Sequence, residues 1–192
     1  MPWEGTGLEH LHLWDNGTGI TIESVVIGVE DETPYRLWYE LSLDRNWKVR
    51  HCILRLLGGE NQSLQLSSDG TGHWSDAVGR PCPALEGCLD VDINVTPFTN
   101  TLPIQRLLLS PGESADLLVA YLSVPDLQFR PMRQRYTCLE AHVDSGLYRY
   151  ESLESGFSRD LPVDAQRLVL DYPGIWKRVE MKSLQDSLSS PA

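Results

Sequence analysis

The sequence predicts an all-β protein whose strands are mainly antiparallel. Apolar and polar residues alternate with a period of two in several segments, as they do in strands with one buried face. Turn sequences rich in glycine, asparagine and aspartate separate these segments about every 8–12 residues, a spacing typical of antiparallel sheets. Helical spacing of apolar residues is found in one internal segment, so we expect little helix.

The clearest strand signal lies between Tyr35 and Asp44, where five apolar residues alternate with mostly polar ones. Shorter alternation predicts strands around residues 91–95, 127–130 and 168–172. The segment 117–124 is apolar on both faces, which indicates a central strand covered from both sides. Hairpin turns are predicted at Asp15-Asn16-Gly17, at 58–61, at 69–72 and at Ser145-Gly146.

One α-helix is predicted from about Asn100 to Leu108. Asn100 or Thr99 can cap its first turn, and Pro103 falls in that turn, where its missing N–H costs nothing. The apolar side of this helix comes from residues at the i, i+3, i+4 spacing, which are Ile104, Leu107 and Leu108.

The composition is that of a folded, strongly acidic protein. The 192 residues include 16 Lys+Arg and 27 Asp+Glu, a net charge of −11, and 41% are hydrophobic. Nucleic-acid binding requires clustered basic residues, so this charge argues against a nucleic-acid partner, and none is expected. No apolar segment approaches the ~20 residues of a membrane-spanning helix, and the first residues lack a signal-peptide pattern. We therefore expect a cytoplasmic protein whose cysteines are free thiols.

The chain shows no linker or internal repeat, which predicts a single domain over residues 1–180 and a C-terminal tail over 181–192. Its four cysteines lack C-x-x-C spacing, so no structural zinc is expected. His10 and His12 are interpreted as exposed strand residues. No metal and no cofactor are predicted.

Polar residues of a kind expected at a binding site are concentrated between Gly87 and Leu109. Short carboxylates and amides next to a turn can hold sugar hydroxyls, because each group donates or accepts along a fixed direction. The same residue types also cap helices and close turns, so a purely structural role stays open. The candidate binding residues of this segment are Asp90, Asp92, Asn94, Thr99, Asn100 and Arg106.

The most specific motif is Thr-Pro-Phe-Thr-Asn-Thr-Leu-Pro-Ile at residues 96–104. It is followed downstream by Tyr148-Arg149-Tyr150-Glu151 and by Asp171-Tyr172-Pro173-Gly174-Ile175-Trp176. With these motifs the chain resembles, from about residue 14 to 178, the bacterial putative glycolipid-binding family, a former domain of unknown function. Family members usually carry two arginines after Leu-Pro-Ile, whereas this chain has Gln105 and Arg106.

The resemblance implies a spiral β-roll, in which one long curled sheet wraps around a single α-helix. It also implies a homodimer and a glycolipid as ligand, and it adds Tyr172 to the candidate binding residues. Three functions remain under consideration: non-enzymatic binding of a glycolipid or other amphipathic lipid conjugate, a structural or interaction module, and an enzyme that uses Asp90 and Asp92. On one strand face these two carboxylates would lie about 7 Å apart, within the range of catalytic carboxylate pairs.

Two further expectations concern single residues. If the helix turns Arg106 toward the sheet, its charge requires a partner, and we expect it to pair with Asp90 or Asp92. Trp38 and Trp74 fall on polar strand faces or beside turns, so we expect both to be exposed and to mark a self-association surface.

Overall fold

The structure is a computed structural model and describes residues 7–58 and 62–179. These residues form a six-stranded sheet, a five-stranded sheet and a two-stranded hairpin, with one α-helix among them. The β-structure curls strongly into a half-barrel. The predicted all-β class with a single helix is confirmed. The predicted tail, residues 181–192, lies outside the described residues.

The six-stranded sheet is an antiparallel meander in chain order. The side chains of one face of its third strand, from Tyr35 to Leu43, are all buried, which confirms the strongest alternation signal. The predicted turns at 15–17 and 69–72 connect strands of this sheet. Its strands are β1 (Leu8–Asp15), β2 (Gly19–Glu30), β3 (Thr33–Asp44), β4 (Val49–Leu56), β5 (Ser63–Ser68) and β6 (Trp74–Asp76).

The five-stranded sheet has the order β11-β10-β9-β8-β7, in which the β7–β8 pair is parallel and the other pairs are antiparallel. The central-strand prediction for 117–124 is confirmed by β8, which has buried neighbours on both faces. The strands are β7 (Asp90–Ile93), β8 (Ser114–Leu122), β9 (Phe129–Ala141), β10 (Ser145–Ser152) and β11 (Ser158–Asp164), and the hairpin consists of β12 (Asp171–Tyr172) and β13 (Trp176–Lys177).

Four boundaries differ from the sequence prediction. The strand predicted around residues 91–95 is β7, which ends at Ile93. Leu127 has a φ of 51° and lies in the turn before β9, so the strand predicted at 127–130 begins later. Ser145 is the first residue of β10 and not part of a turn. In the segment 168–172 only Asp171 and Tyr172 are in a strand.

The α-helix, α1 (Thr101–Leu107), follows a 3-10 turn at Phe98–Asn100 and ends at Leu108 in the left-handed conformation. The predicted side-chain cap is wrong. Asn100 has helical backbone angles and makes no cap hydrogen bond, because its side chain and that of Thr99 are used in tertiary contacts. The helix contacts two cores, since Leu102 belongs to the core next to the six-stranded sheet and Ile104 to a second core on the five-stranded sheet. The prediction that Leu108 completes the apolar side of the helix is wrong, because this residue is 58% exposed where the helix ends.

The prediction that Trp74 is exposed is wrong. The side chain is buried, and its indole N–H donates to the carbonyl oxygen of Cys88 at 2.8 Å, since the loop after β6 folds back over it. Trp38 is partly exposed on the outer face of the six-stranded sheet, where its N–H donates to Glu23 at 2.8 Å and the Arg55 guanidinium lies over its ring.

All four cysteines are free thiols, and three of them are buried. His10 and His12 are exposed, as predicted. Within residues 7–58 and 62–179, no group of three or more potential metal ligands comes together. No helix in this part of the chain has the length and apolar character needed to cross a membrane.

Candidate ligand-binding site

The two faces of the five-stranded sheet are used differently. Through Val91 and Ile93 on β7 and Ala120 and Leu122 on β8, one face packs against the core of the six-stranded sheet. The opposite face carries Asp90 and Asp92, because successive side chains of a strand alternate. We call this second surface the inner face; it continues across β9 and β10 and is partly covered by α1.

Asp90 and Arg106 form a buried ion pair on the inner face. The carboxylate of Asp90 is fully buried, and the Arg106 side chain is 12% exposed. Arg106 donates through Nε to Oδ1 at 3.1 Å and through Nη2 to Oδ2 at 2.6 Å, which is the bidentate geometry that gives strong pairs. The expected pairing of Arg106 with a β7 carboxylate is therefore confirmed, and Asp90 is the partner.

Asp92, two residues further along β7, is bound by neutral donors alone among the residues that the structure describes. Thr99 donates to Oδ1 at 3.3 Å, and Gln134 on β9 donates to Oδ2 at 2.5 Å. Burial raises the pKa of Asp92, and these two hydrogen bonds only partly offset that effect. The residue retains some exposure at the edge of the inner face.

Aromatic side chains surround this carboxylate. The rings of Tyr136 and Tyr150 are 5.5 Å apart in an edge-to-face arrangement, and Phe157 and Tyr172 are nearly parallel at 6.4 Å. Gln134 also donates to the Tyr150 hydroxyl at 3.3 Å, which connects the aromatic cluster to Asp92. Burial, followed by the negative charge of Asp92, raises the pKa of the Tyr150 and Tyr172 phenols well above the usual value.

Two arginines each lie over an aromatic ring, one over Tyr121 on β8 and one over Phe157 of the cluster. Arg130 is 4.9 Å from the centre of the Tyr121 ring and is also paired with Glu154 at 2.9 Å. Arg159 is 4.4 Å from the centre of the Phe157 ring. We call Asp92 the floor of the candidate site, the aromatic cluster its walls, and the two arginines its rim.

The sequence-predicted residues do not all belong to this site. Asn94 accepts from the backbone N–H of Val124 at 2.9 Å and donates to its carbonyl oxygen at 3.3 Å, so it extends the β7–β8 pairing beyond the strand. The side-chain oxygen of Asn100 accepts from the Tyr136 hydroxyl at 2.8 Å, which fastens the start of α1 to the sheet. Thr99 contacts Asp92 directly, and Tyr172 belongs to the aromatic cluster.

Sequence analysis missed Gln134 and Phe157 at the site, and it missed a second carboxylate elsewhere. Glu9 on β1 accepts hydrogen bonds from Ser24 at 2.9 Å, from Tyr39 at 2.7 Å and from Thr96 at 2.8 Å. Burial raises the pKa of Glu9 despite these three donors. No local pattern could reveal this group, since its partner Thr96 is 87 residues away.

Comparison with known proteins identifies the family. A family model described as putative glycolipid-binding matches residues 1–178. The chain belongs to this family. A crystal structure of a DUF1089 family protein from Pseudomonas aeruginosa is similar to the chain at 39% identity and a TM-score of 0.81, and the match covers 92% of this chain and 95% of that one. No curated protein matches the chain.

In this member of the putative glycolipid-binding family, the motif at 96–104 connects distant parts of the fold. Its Thr96 binds Glu9 on the six-stranded sheet, Thr99 binds Asp92 and Asn100 binds Tyr136. Each contact involves a buried or partly buried polar group that requires a partner. The motif thus joins the two sheets and positions Asp92.

Proposed function

We propose that this protein binds, without chemical conversion, an amphipathic ligand with a hydroxylated head group, such as a glycolipid or another lipid conjugate. The proposed site is the part of the inner face around Asp92. The observation that carries the proposal is Asp92, a partly exposed residue whose carboxylate is held by neutral donors next to an aromatic cluster. Binding sites of this kind combine apolar walls with a few polar groups that fix orientation, and the description of the family supports the same ligand class.

The chemistry of the floor suits hydroxyl groups. An ionised carboxylate has about four acceptor positions, of which Thr99 and Gln134 use two. The remaining positions can accept from the hydroxyls of a sugar. Phe157 and Tyr172 are both partly exposed, so their rings are available to pack against the apolar surface of a sugar ring or an acyl chain.

The geometry favours binding over catalysis by the two aspartates. A carboxylate pair that works as acid and base needs both groups within reach of the substrate. Asp90 is fully buried and both its oxygens are held by Arg106, so it supports the fold and leaves Asp92 without a catalytic partner. A structural module is the second candidate, because Asn94, Thr99 and Asn100 also use their side chains in contacts within the chain.

The binding proposal can be tested with n-octyl β-D-glucoside below its critical micelle concentration. We expect amide and side-chain NMR resonances of Asp92, Gln134 and Tyr172 to shift on titration. Tyr172→Ala should weaken binding up to about tenfold, because an aromatic contact contributes roughly 0.5–1.5 kcal/mol. Val143→Ala is the matched control, since Val143 is fully exposed on the β9–β10 turn. Absence of shifts, or equal affinity of Tyr172→Ala and wild type, would refute the proposal in favour of the structural module.

We also propose that the protein is a cytoplasmic homodimer. Its free thiols are consistent with a reducing compartment. Large apolar side chains that are 37–60% exposed on the outer face of the six-stranded sheet support self-association through this face. Trp38 lies between Arg36 and Glu40 on the same strand face. A twofold axis near Trp38 that sets the two β3 strands antiparallel would place Arg36 of each copy opposite Glu40 of the other. The exposed apolar side chains are Leu8, Val25, Ile27 and Val29.

Light scattering tests the dimer. We expect twice the chain mass of 21.7 kDa for wild type and the single mass for Ile27→Lys, because a charge at the centre of the patch would be buried on association. Val78→Lys introduces the same charge at an exposed valine outside the six-stranded sheet face and should leave the mass unchanged. A wild-type mass of 21.7 kDa at micromolar concentration contradicts the homodimer.

A further inference from the structure

The negative charge of Asp92 is not matched by a cation. Its donors are a hydroxyl and an amide, and no ion pair to Asp92 occurs within residues 7–58 and 62–179. Arg106 lies on α1, the helix that follows β7 in the chain, but its guanidinium is already bound to both carboxylate oxygens of Asp90. The floor of the site is thus an ionisable carboxylate held by neutral groups alone.

The cations near the site lie outside the aromatic cluster. Arg130 is bound to Glu154 and lies over Tyr121, while Arg159 lies over Phe157 and donates to the Ser158 carbonyl at 2.7 Å. Between this rim and the floor are phenol and phenyl rings. The faces of such rings carry partial negative charge and attract cations.

We propose that the head group bound at Asp92 carries an ammonium group, as an amino sugar does, and that head groups with a phosphate or carboxylate are excluded from the floor. This inference rests on the proposed function. An ammonium group would neutralise a carboxylate that is removed from water and would contact the surrounding ring faces at the same time. An anion would approach an uncompensated negative charge in the same place, which is unfavourable at low effective dielectric. The upward shift of the Asp92 pKa by burial agrees with a carboxylate that lacks a cationic partner.

Three soluble sugars with the same ring provide the test: glucosamine, glucose and glucuronate. They are titrated separately at pH 6.5, where the glucosamine amine is protonated, and followed by the NMR shifts of Gln134 and Tyr172. We expect glucosamine to bind about tenfold more tightly than glucose, the factor that separates a charge-assisted hydrogen bond from a neutral one. Glucuronate should bind more weakly than glucose.

Asp92→Asn keeps the shape of the side chain and removes its charge, so it should abolish the preference for glucosamine. Glu140→Gln is the matched control, since it removes an exposed carboxylate near the end of β9, away from the site, and should preserve the preference. If Asp92→Asn does not fold, the carboxyl carbon resonance of Asp92 in wild type replaces it: its titration midpoint should fall further when glucosamine binds than when glucose binds, and equal shifts would overturn the inference.

The possible results separate this inference from the proposed function. If octyl glucoside binds but glucosamine has no advantage over glucose, or glucuronate binds equally well, the ammonium inference is wrong and the binding function stands. Persistence of the preference in a folded Asp92→Asn protein also overturns the inference. If neither octyl glucoside nor any of the three sugars shifts the site resonances, the proposed function itself fails.

Discussion

Arg106→Ala should lower the free energy of unfolding by about 3–5 kcal/mol, because it leaves a buried carboxylate without its partner. Asp90 has no exposed side-chain surface, and both of its oxygens accept from the Arg106 guanidinium. Alanine offers neither charge nor donor, and the covered inner face gives water little access to replace them. Urea denaturation at pH 7 measures the loss directly.

The chain contains a matched control for this pair. Arg135 binds Asp116 in the same bidentate manner, at 2.6 and 3.0 Å, but both side chains are more than 40% exposed. Arg135→Ala should therefore destabilise the protein far less than Arg106→Ala, because solvent screens an exposed pair. If Arg106→Ala is as mild as Arg135→Ala, the pair does not stabilise the fold, and a ligand contact becomes the better role for Arg106. Replacing Asp90 by Leu together with Arg106 by Met should recover most of the stability, because no unpaired charge remains buried.

Alternation predicted the strands well where one face meets the core and the other meets solvent. The strand β3 has this environment and was located correctly from Tyr35 to Asp44. The strand β7 has the same alternating pattern, but its polar face is covered by α1 and the aromatic cluster. Periodicity reports which residues share a face and does not show what covers that face. For this reason the sequence could group Asp90 with Asp92, while only the structure separates a structural carboxylate from a candidate binding one.

Contacts between residues distant in the chain limited the prediction of single side chains. Trp74 follows a glycine-rich turn and was expected at the surface, yet a loop that ends 14 residues later accepts its N–H and buries the ring. Gln134 and Tyr150 are ordinary members of alternating strands, and they acquire a role only because the register brings both near Asp92. Such pairings depend on tertiary topology, which short-range patterns do not encode.

Two substitutions of Glu9 should change the free energy of unfolding in opposite directions: alanine should lower it, and glutamine should raise it. Glu9→Ala removes the acceptor of the Ser24, Tyr39 and Thr96 hydroxyls, and a buried donor without an acceptor costs about 1–3 kcal/mol. The loss should reach at least this size, because Tyr39 is fully buried. Glu9→Gln keeps a carbonyl oxygen where Ser24 and Tyr39 donate, places an amide N–H near Thr96, and removes a charge from a desolvated position.

The pH dependence of stability distinguishes two effects of Glu9, its hydrogen bonds as an acceptor and the cost of its buried charge. Burial raises its pKa above the usual 4.5, so the folded state holds the proton more tightly than the unfolded state. The resulting stabilisation is fully present below pH 4.5 and is lost as pH rises through the raised value. Glu9→Gln has no such proton. The free energy of unfolding of the variant minus that of wild type should therefore increase across this pH window, and the variant should stay the more stable protein at higher pH. Thermal melts of both proteins between pH 4 and 8 measure this difference. A Glu9→Gln protein less stable than wild type by the same amount at every pH would mean that hydrogen-bond geometry, and not the buried charge, determines the energetics of this junction between the two sheets.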